Sequence, residues 1–196
     1  EFTLGIALTA LASNMLANAA TAQTNDEPVE GAPPQPESFP FDFDVLTEQA
    51  RQKAASAYAP PSSELPEALR ELDYDQHRMI RFNPERTIWR DEADFNLQAF
   101  HPGWLFKEPV HLFSVSGGKA TPLDFSAKDF IYQEPLESER FEGLDLPGIA
   151  GFRLMYPLNS PDVMDELVAF LGASYFRGLG KGSRYGLSAR GIAVNT

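Results

Sequence analysis

The side chains best suited to chemistry lie near the carboxyl-terminal end of the chain, where tyrosine and arginine occur together. Tyr175, Phe176 and Arg177 are consecutive, and Tyr185 and Arg190 follow in a second run. In a strand, Tyr175 and Arg177 lie on one face and Phe176 on the other. Aromatic faces pack against the apolar C–H surface of a pyranose, and guanidinium groups donate to hydroxyls in a fixed geometry. Tyr175, Arg177, Tyr185 and Arg190 are therefore candidate sugar-binding residues; the alternative is a Tyr–Arg stack that only covers a sheet.

Other kinds of chemical site are disfavoured by their spacing. The three histidines His77, His101 and His111 do not follow a metal-ligand pattern, so no metal or other cofactor is expected. His111 alternates with apolar neighbours, which predicts a position on the surface of a strand. The glycine-rich run 178–183 lacks two residues that a phosphate-binding loop needs, which favours a flexible hairpin turn. The run 186–191 has one residue too many for a hydrolase nucleophile elbow, and no histidine follows it.

Five carboxylates occur in segments that are predicted to reach a sheet surface. They are Asp124, Asp129, Asp162, Asp165 and Glu166. Nothing in their sequence neighbourhoods marks any of them as a proton donor. We expect them to act as solvated caps, with Asp162 after Pro161 starting a helix or a turn.

Composition limits the class of protein. The chain has 196 residues with 16 Lys+Arg and 28 Asp+Glu, which give a formal net charge of −12. Such a chain repels polyanions, so a general nucleic-acid binder is not expected. Cysteine is absent, which excludes disulfides, thiol nucleophiles and cysteine-based zinc sites. The length is sufficient for one domain with a core of its own.

The amino-terminal residues resemble the later part of a secretory signal peptide. Residues 1–22 contain an uncharged apolar run followed by small residues. This pattern predicts cleavage after Ala22 or after Ala19. The alternative is a buried helix or an uncleaved membrane anchor. No later segment is apolar enough to cross a membrane, and export is predicted. Residues 23–38 are rich in proline and acidic residues and predict a disordered linker. The missing initiator Met and the strand-like run at residues 191–196 suggest a sequence cut at both ends.

Residues 39–196 are predicted to fold, and their periodicity changes along the chain. A helix from Asp44 to Tyr58, with Asp44 as its cap, and a short helix from Pro66 to Leu72 come first. Alternating patterns then predict strands, bounded by turns such as Gly117-Gly118. These strand segments are 77–83, 95–101, 110–115, 152–156, 167–171, 174–179 and 191–194. We expect a mainly-β fold, an antiparallel sandwich with a short helical lead-in.

Two long motifs carry a family resemblance. The run Leu171-Gly-Ala-Ser-Tyr-Phe-Arg177 and the run Tyr185-Gly-Leu-Ser-Ala-Arg-Gly191 closely resemble the periplasmic glucan biosynthesis family, the OpgG/OpgD or MdoG proteins. Supporting matches include the Ile80-Arg-Phe-Asn segment and the run from Gly151 to Ser160. The resemblance covers residues 39–196.

The resemblance implies a periplasmic protein of osmoregulated periplasmic glucan biosynthesis. It implies a large mutarotase-like β-sandwich, of which residues 39–196 would form the first half, followed by an immunoglobulin-like domain. It also implies similarity to inverting glycoside hydrolases that act on the β-1,2-glucan backbone with two carboxyl groups. Those groups would lie beyond Thr196, so no catalytic residue is assigned here. The alternative is a non-catalytic scaffold that binds glucan, and a homodimer is left open.

Overall fold

A computed structural model describes residues 37–59, 65–172, 174–183 and 189–190. Within these ranges, a two-residue strand precedes three α-helices, and the other strands follow. The strands are β1 (Phe39–Pro40), β2 (Ile80–Phe82), β3 (Asn96–Phe100), β4 (Leu112–Ser116), β5 (Lys119–Leu123), β6 (Phe130–Tyr132), β7 (Gly151–Ser160), β8 (Val163–Leu171), β9 (Tyr175–Gly178) and β10 (Ala189–Arg190). The signal segment 1–22, nearly all of the linker 23–38 and the strand predicted at 191–194 lie outside the described residues.

The helical lead-in differs in detail from its prediction. Helix α1 spans Phe43–Ala54 and is capped by Asp42, whose carboxylate accepts a hydrogen bond from the backbone N–H of Val45 at 2.8 Å. The prediction of Asp44 as cap is therefore wrong. Two acidic residues stand near this helix start, and Asp42 has the extended backbone that a cap requires.

Two one-turn helices follow α1 in the described chain. Helix α2 spans Glu67–Arg70 with Pro66 at its start, close to the prediction. Helix α3 spans Tyr74–His77 and is capped by Asp73, which exchanges hydrogen bonds with Gln76 in a capping box. His77, which the alternating pattern assigned to a strand, is thus helical. The strand predicted at 77–83 shortens to β2 because the local cap at Asp73 outweighs the alternation.

The strands form three antiparallel sheets. The largest has the order β10-β9-β8-β7-β3, and the smaller ones have the orders β1-β5-β4 and β2-β6. Strands β4 and β5 form a hairpin whose turn is Gly117-Gly118, with φ of 57° and 73°. Both residues need positive φ in this kind of tight turn, which glycine adopts without strain. The prediction of a mainly-β, antiparallel sandwich with a short helical lead-in is confirmed.

The core lies between the two-stranded sheet and the five-stranded sheet. Phe82 of β2 and Phe130 of β6 pack with Ala99 of β3 and with Ile149, which is fully buried. A second cluster joins the short helices to the loop before β7, through Leu69 and Phe141 among others. The core therefore supports the five-stranded sheet from one side, at its β3 and β7 end.

The pairing of β7 with β8 depends on a glycine. Gly151 has a φ of 154°, and a Cβ built on it would lie 2.1 Å from the carbonyl oxygen of Phe170. Any larger residue would force the two backbones apart. This close approach fixes the register in which Gly151 lies opposite Leu171 and Arg153 lies opposite Ala169.

Candidate functional site

One face of the five-stranded sheet carries a row of polar side chains across four strands. The register places Gln98 of β3 opposite Arg153 of β7, Arg153 opposite Ala169 of β8, and Ala169 opposite Arg177 of β9. Residues directly opposite each other in a sheet share a face. The small Ala169, which is 1% exposed, therefore separates two arginines. We call Gln98, Arg153, Glu166, Tyr175 and Arg177 the charged row.

Glu166 joins the charged row because β8 contains a bulge. Leu154 pairs with Val168, but the next residue, Met155, pairs with Glu166, so Leu167 is an extra residue in β8. Strict alternation would place Glu166 on the same face as Val168. The extra residue inverts the alternation and places Glu166 on the face of Arg153 and Arg177.

Ion pairs and hydrogen bonds connect the members of the charged row. Arg177 donates from Nε and from Nη2 to Glu166 Oε1, each at 2.6 Å, and Arg153 Nη1 lies 3.4 Å from Glu166 Oε2. Arg153 also donates from Nε and Nη2 to Gln98 Oε1, at 3.0 and 2.7 Å. The side chain of Glu166 is 11% exposed, against 33% for Arg153 and 38% for Arg177. The carboxylate thus lies beneath two guanidinium groups that face outward.

The surroundings of Arg177 in the charged row raise its pKa. Burial lowers the pKa of Arg177, but hydrogen bonds and charge from Glu166 and Tyr175 outweigh burial, and the pKa lies above its ordinary value. Tyr175 is half-buried and in hydrogen-bond contact with Arg177. The structure therefore brings Tyr175 and Arg177 together on one face, as the alternation predicted.

The other two candidate sugar-binding residues are not described at the level of side chains. Tyr185 lies outside the described residues. Arg190 lies in β10, where its backbone pairs with Tyr175 in antiparallel register. The run 178–183 follows β9 and contains a turn at Lys181 and Gly182, as expected for a hairpin turn.

The opposite face of the same sheet is aromatic. Phe152, Phe170 and Phe176 stack in a row across β7, β8 and β9, with ring centroids 5.1 and 6.0 Å apart. Phe152 contacts the core, whereas Phe170 and Phe176 are each 39% exposed. The sheet therefore presents a polar face and an apolar face with different chemistry.

The histidines form a contact that the sequence analysis did not foresee. His77 Nε2 donates to the backbone carbonyl of His101 at 2.8 Å. His101 is 3% exposed; its Nδ1 donates to the carbonyl of Pro102 at 2.6 Å, and its Nε2 accepts from the Tyr132 hydroxyl at 3.1 Å. Burial lowers the pKa of His101 to about 3, although the bond to Pro102 opposes this shift. His101 is a neutral core residue, and the exposed His111 directly precedes β4.

The five carboxylates were predicted to be solvated caps. Asp129 closes a capping box with Ser126, but its side chain is only 13% exposed and pairs with Arg86. Asp165 accepts hydrogen bonds from Asn159, and Asp162 lies in the turn between β7 and β8. The prediction for Glu166 is wrong, because it is an ion-pair partner of two arginines rather than a solvated cap. The β8 bulge is the cause.

Among the described residues, no group of three histidines or carboxylates is placed to hold a metal ion. The helices of the described chain are also all too short or too polar to span a bilayer.

Comparison with known proteins places this sheet in a family. The family described as "Periplasmic glucan biosynthesis protein, MdoG" matches residues 41–196. The chain belongs to this family. The match includes the whole five-stranded sheet and both motifs on which the resemblance rests, so that resemblance is confirmed.

Three relatives illustrate the extent of the similarity. The chain is 52% identical over 157 residues to "Glucans biosynthesis protein G" of Cereibacter sphaeroides, a match that covers 80% of this chain and 29% of the relative. It is 43% identical over 173 residues to the protein of that name from Rhodopseudomonas palustris (82% and 34%) and 43% identical over 157 residues to that of Vibrio cholerae (80% and 28%). The matched region thus spans about a third of the length of these MdoG-family relatives.

Proposed function

We propose that this chain forms part of the glucan-binding surface of a periplasmic protein in glucan biosynthesis. The family description and the names of the relatives support the pathway and the compartment. In this proposal the charged row contacts the glucan: Tyr175 packs on a pyranose ring, while Arg153 and Arg177 donate to its hydroxyls. Tyr185 and Arg190 are proposed as further glucan contacts on the sequence alone.

The observation that carries the proposal is the outward placement of two paired arginines on a sheet face. The chain has a net charge of −12, yet the charged row brings two guanidinium groups and one carboxylate together. Arg153 and Arg177 are two strands apart, which is about 10 Å. Guanidinium groups held in place lose little further entropy when they donate to hydroxyls. This geometry suits an extended neutral polyol better than a small anion.

We further propose that the intact protein cleaves or remodels the β-1,2-glucan backbone. In the described residues, both oxygens of Glu166 are engaged by guanidinium groups, and Asp129 and Asp165 serve a cap and a turn. Binding is therefore proposed for this segment, and chemistry for the intact protein. The second candidate function is a non-catalytic scaffold that binds glucan through the same charged row.

The test uses the intact protein with linear β-1,2-glucan. Reducing ends are counted over time, and affinity is measured by calorimetry. New reducing ends support cleavage; binding without new ends supports the scaffold. Arg177→Gln is expected to lower affinity about tenfold, because one charged hydrogen bond to the sugar is lost. Lys107→Gln removes an exposed cation that is not part of the charged row, and it is the matched control. Equal affinities for the two variants would refute glucan binding by the charged row.

A further inference from the structure

The position of Glu166 within the charged row sets it apart from the arginines. Its carboxylate is 11% exposed, whereas the arginine side chains above it are 33% and 38% exposed. A ligand that approaches this face therefore meets Arg153 and Arg177 before it meets Glu166. The two oxygens of Glu166 also divide their contacts, Oε1 to Arg177 and Oε2 to Arg153. One carboxylate thus orients two guanidinium groups.

The backbone is built to place Glu166 there. The extra residue Leu167 turns Glu166 onto the face of the arginines, and bulges commonly redirect a side chain near a functional site. Leu167 is itself held in place, because its carbonyl accepts a hydrogen bond from the backbone N–H of Leu179 at 2.8 Å. Ala169, between the two arginines, leaves room for their long side chains to converge on Glu166. Side chains of β7 and β9 thus converge on one carboxylate of β8.

The charge of Glu166 explains how it orients Arg153 and Arg177. Two guanidinium groups whose ends converge on one point repel each other, and each long side chain has many rotamers when unrestrained. A carboxylate between them removes the repulsion and selects one rotamer for each. Gln98 restrains Arg153 from the other side, through two N–H groups of the guanidinium.

We propose that Glu166 is a positioning residue of the glucan-binding face, which pre-orients Arg153 and Arg177 and does not itself contact the sugar. This inference rests on the proposed function of the charged row. In this inference, a residue that does not contact the glucan affects the affinity for it. The arginines bind, and Glu166 determines where their donors point.

A mutant cycle in the intact protein tests the inference. Affinity for linear β-1,2-glucan oligosaccharides is measured for Glu166→Gln, for the paired variant Arg153→Gln with Arg177→Gln, and for the variant that carries all three changes. If Glu166 acts through the two arginines, Glu166→Gln lowers affinity about tenfold, and the triple variant lies within about twofold of the paired variant. Glu108→Gln removes one exposed carboxylate with the same change in net charge and should leave affinity unchanged.

The possible outcomes separate the inference from the proposed function. If Arg153→Gln and Arg177→Gln both leave affinity unchanged, the proposed function fails and the inference fails with it. If they weaken binding while Glu166→Gln does not, the positioning role is refuted and the binding face stands. Additive losses in the triple variant would mean that Glu166 does not act through the arginines, which also refutes positioning.

A second measurement needs no substitution at Glu166. The Nε–H proton of Arg177, which donates to Glu166 Oε1 at 2.6 Å, is followed by NMR in the wild-type protein. Pre-orientation predicts slow exchange of this proton with water before glucan is added, and little change afterwards. Fast exchange that slows only on addition of glucan would show that the ligand orders the arginine, and would overturn the inference.

Discussion

Two polar networks in this chain use similar hydrogen bonds but differ in burial and in charge. In the charged row, Glu166 joins two arginines on a half-exposed sheet face. In the histidine network, His101 lies in the core and joins Pro102 and Tyr132 through its two ring nitrogens. In the first network, the pKa of Arg177 lies above its ordinary value. The second keeps His101 neutral, because burial lowers its pKa to about 3.

The difference shows that burial decides whether a polar group contributes to stability or remains accessible to a ligand. A neutral imidazole whose two nitrogens are both bonded within the core contributes to stability and offers nothing to a ligand. Charged groups at the surface contribute little to stability but remain accessible to a ligand. Loss of a group from the histidine network should therefore change the free energy of unfolding, whereas loss of one from the charged row should change affinity.

The largest effect is expected from His101→Ala. The substitution opens a cavity and leaves the Tyr132 hydroxyl and the Pro102 carbonyl without their present partner. Together these effects should cost about 3 kcal/mol of unfolding free energy. Urea denaturation of the intact protein measures the loss, and His111→Ala, at an exposed histidine, is the control. A loss no larger than that of the control would contradict a structural role for His101.

The second prediction concerns pH and the same histidine. His101 titrates near pH 3 when folded and near its ordinary value of 6.5 when unfolded, so the unfolded chain binds a proton first as the pH falls. Stability is therefore complete above about pH 6.5 and decreases towards pH 3, by about 1.4 kcal/mol between about pH 7.5 and 5.5. The pKa of His77 is also lowered by burial and adds to the same trend.

Urea denaturation at several pH values measures this slope. His111→Gln should retain the slope, and His101→Gln should reduce it to the part that His77 contributes. The imidazole signals of folded wild-type protein provide a second check, since His101 should remain neutral at about pH 5. Protonation of His101 in the folded protein at that pH would contradict the assignment.

Local patterns were sufficient to predict part of the fold and of the site. The alternation in residues 95–101 and 174–179 corresponds to β3 and β9, and it placed Tyr175 and Arg177 on one face. Glycine pairs identified the β4–β5 turn because only glycine adopts its backbone angles without strain. These features depend on neighbours within a few residues. They could therefore be inferred without knowledge of the tertiary structure.

The missed features depend on distant parts of the chain. Glu166 reaches the arginines only through the bulge at Leu167, which is defined by pairing with β7 and β9. His101 and Tyr132 are 31 residues apart in sequence. Strand β5 contains Pro122, which weakens a strand pattern, and it is recognisable only as the partner of β1 and β4. Each of these features depends on contacts between segments that are distant in the sequence.

A smaller stability effect is expected from Glu166→Gln. Its partners are exposed to about a third, so water screens the ion pairs, and glutamine keeps one oxygen that can accept from Arg177. The loss in unfolding free energy should be about 1 kcal/mol or less, well below that of His101→Ala. Urea denaturation of the two variants side by side measures the contrast. A loss of about 3 kcal/mol for Glu166→Gln would place the charged row among the structural networks and remove the distinction.

The smallest effect is expected from salt, and it applies to the charged row alone. Added salt screens the partly exposed pairs of Glu166 with Arg153 and Arg177, but it also screens the repulsion within a chain of net charge −12. The informative quantity is therefore the difference in unfolding free energy between wild type and Glu166→Gln. This difference should shrink by a few tenths of a kcal/mol between low salt and about 1 M NaCl. The difference between wild type and His101→Ala should stay constant, because that network is neutral. A change of equal size in both differences would show that salt acts on the whole chain and that the two networks are not electrostatically distinct.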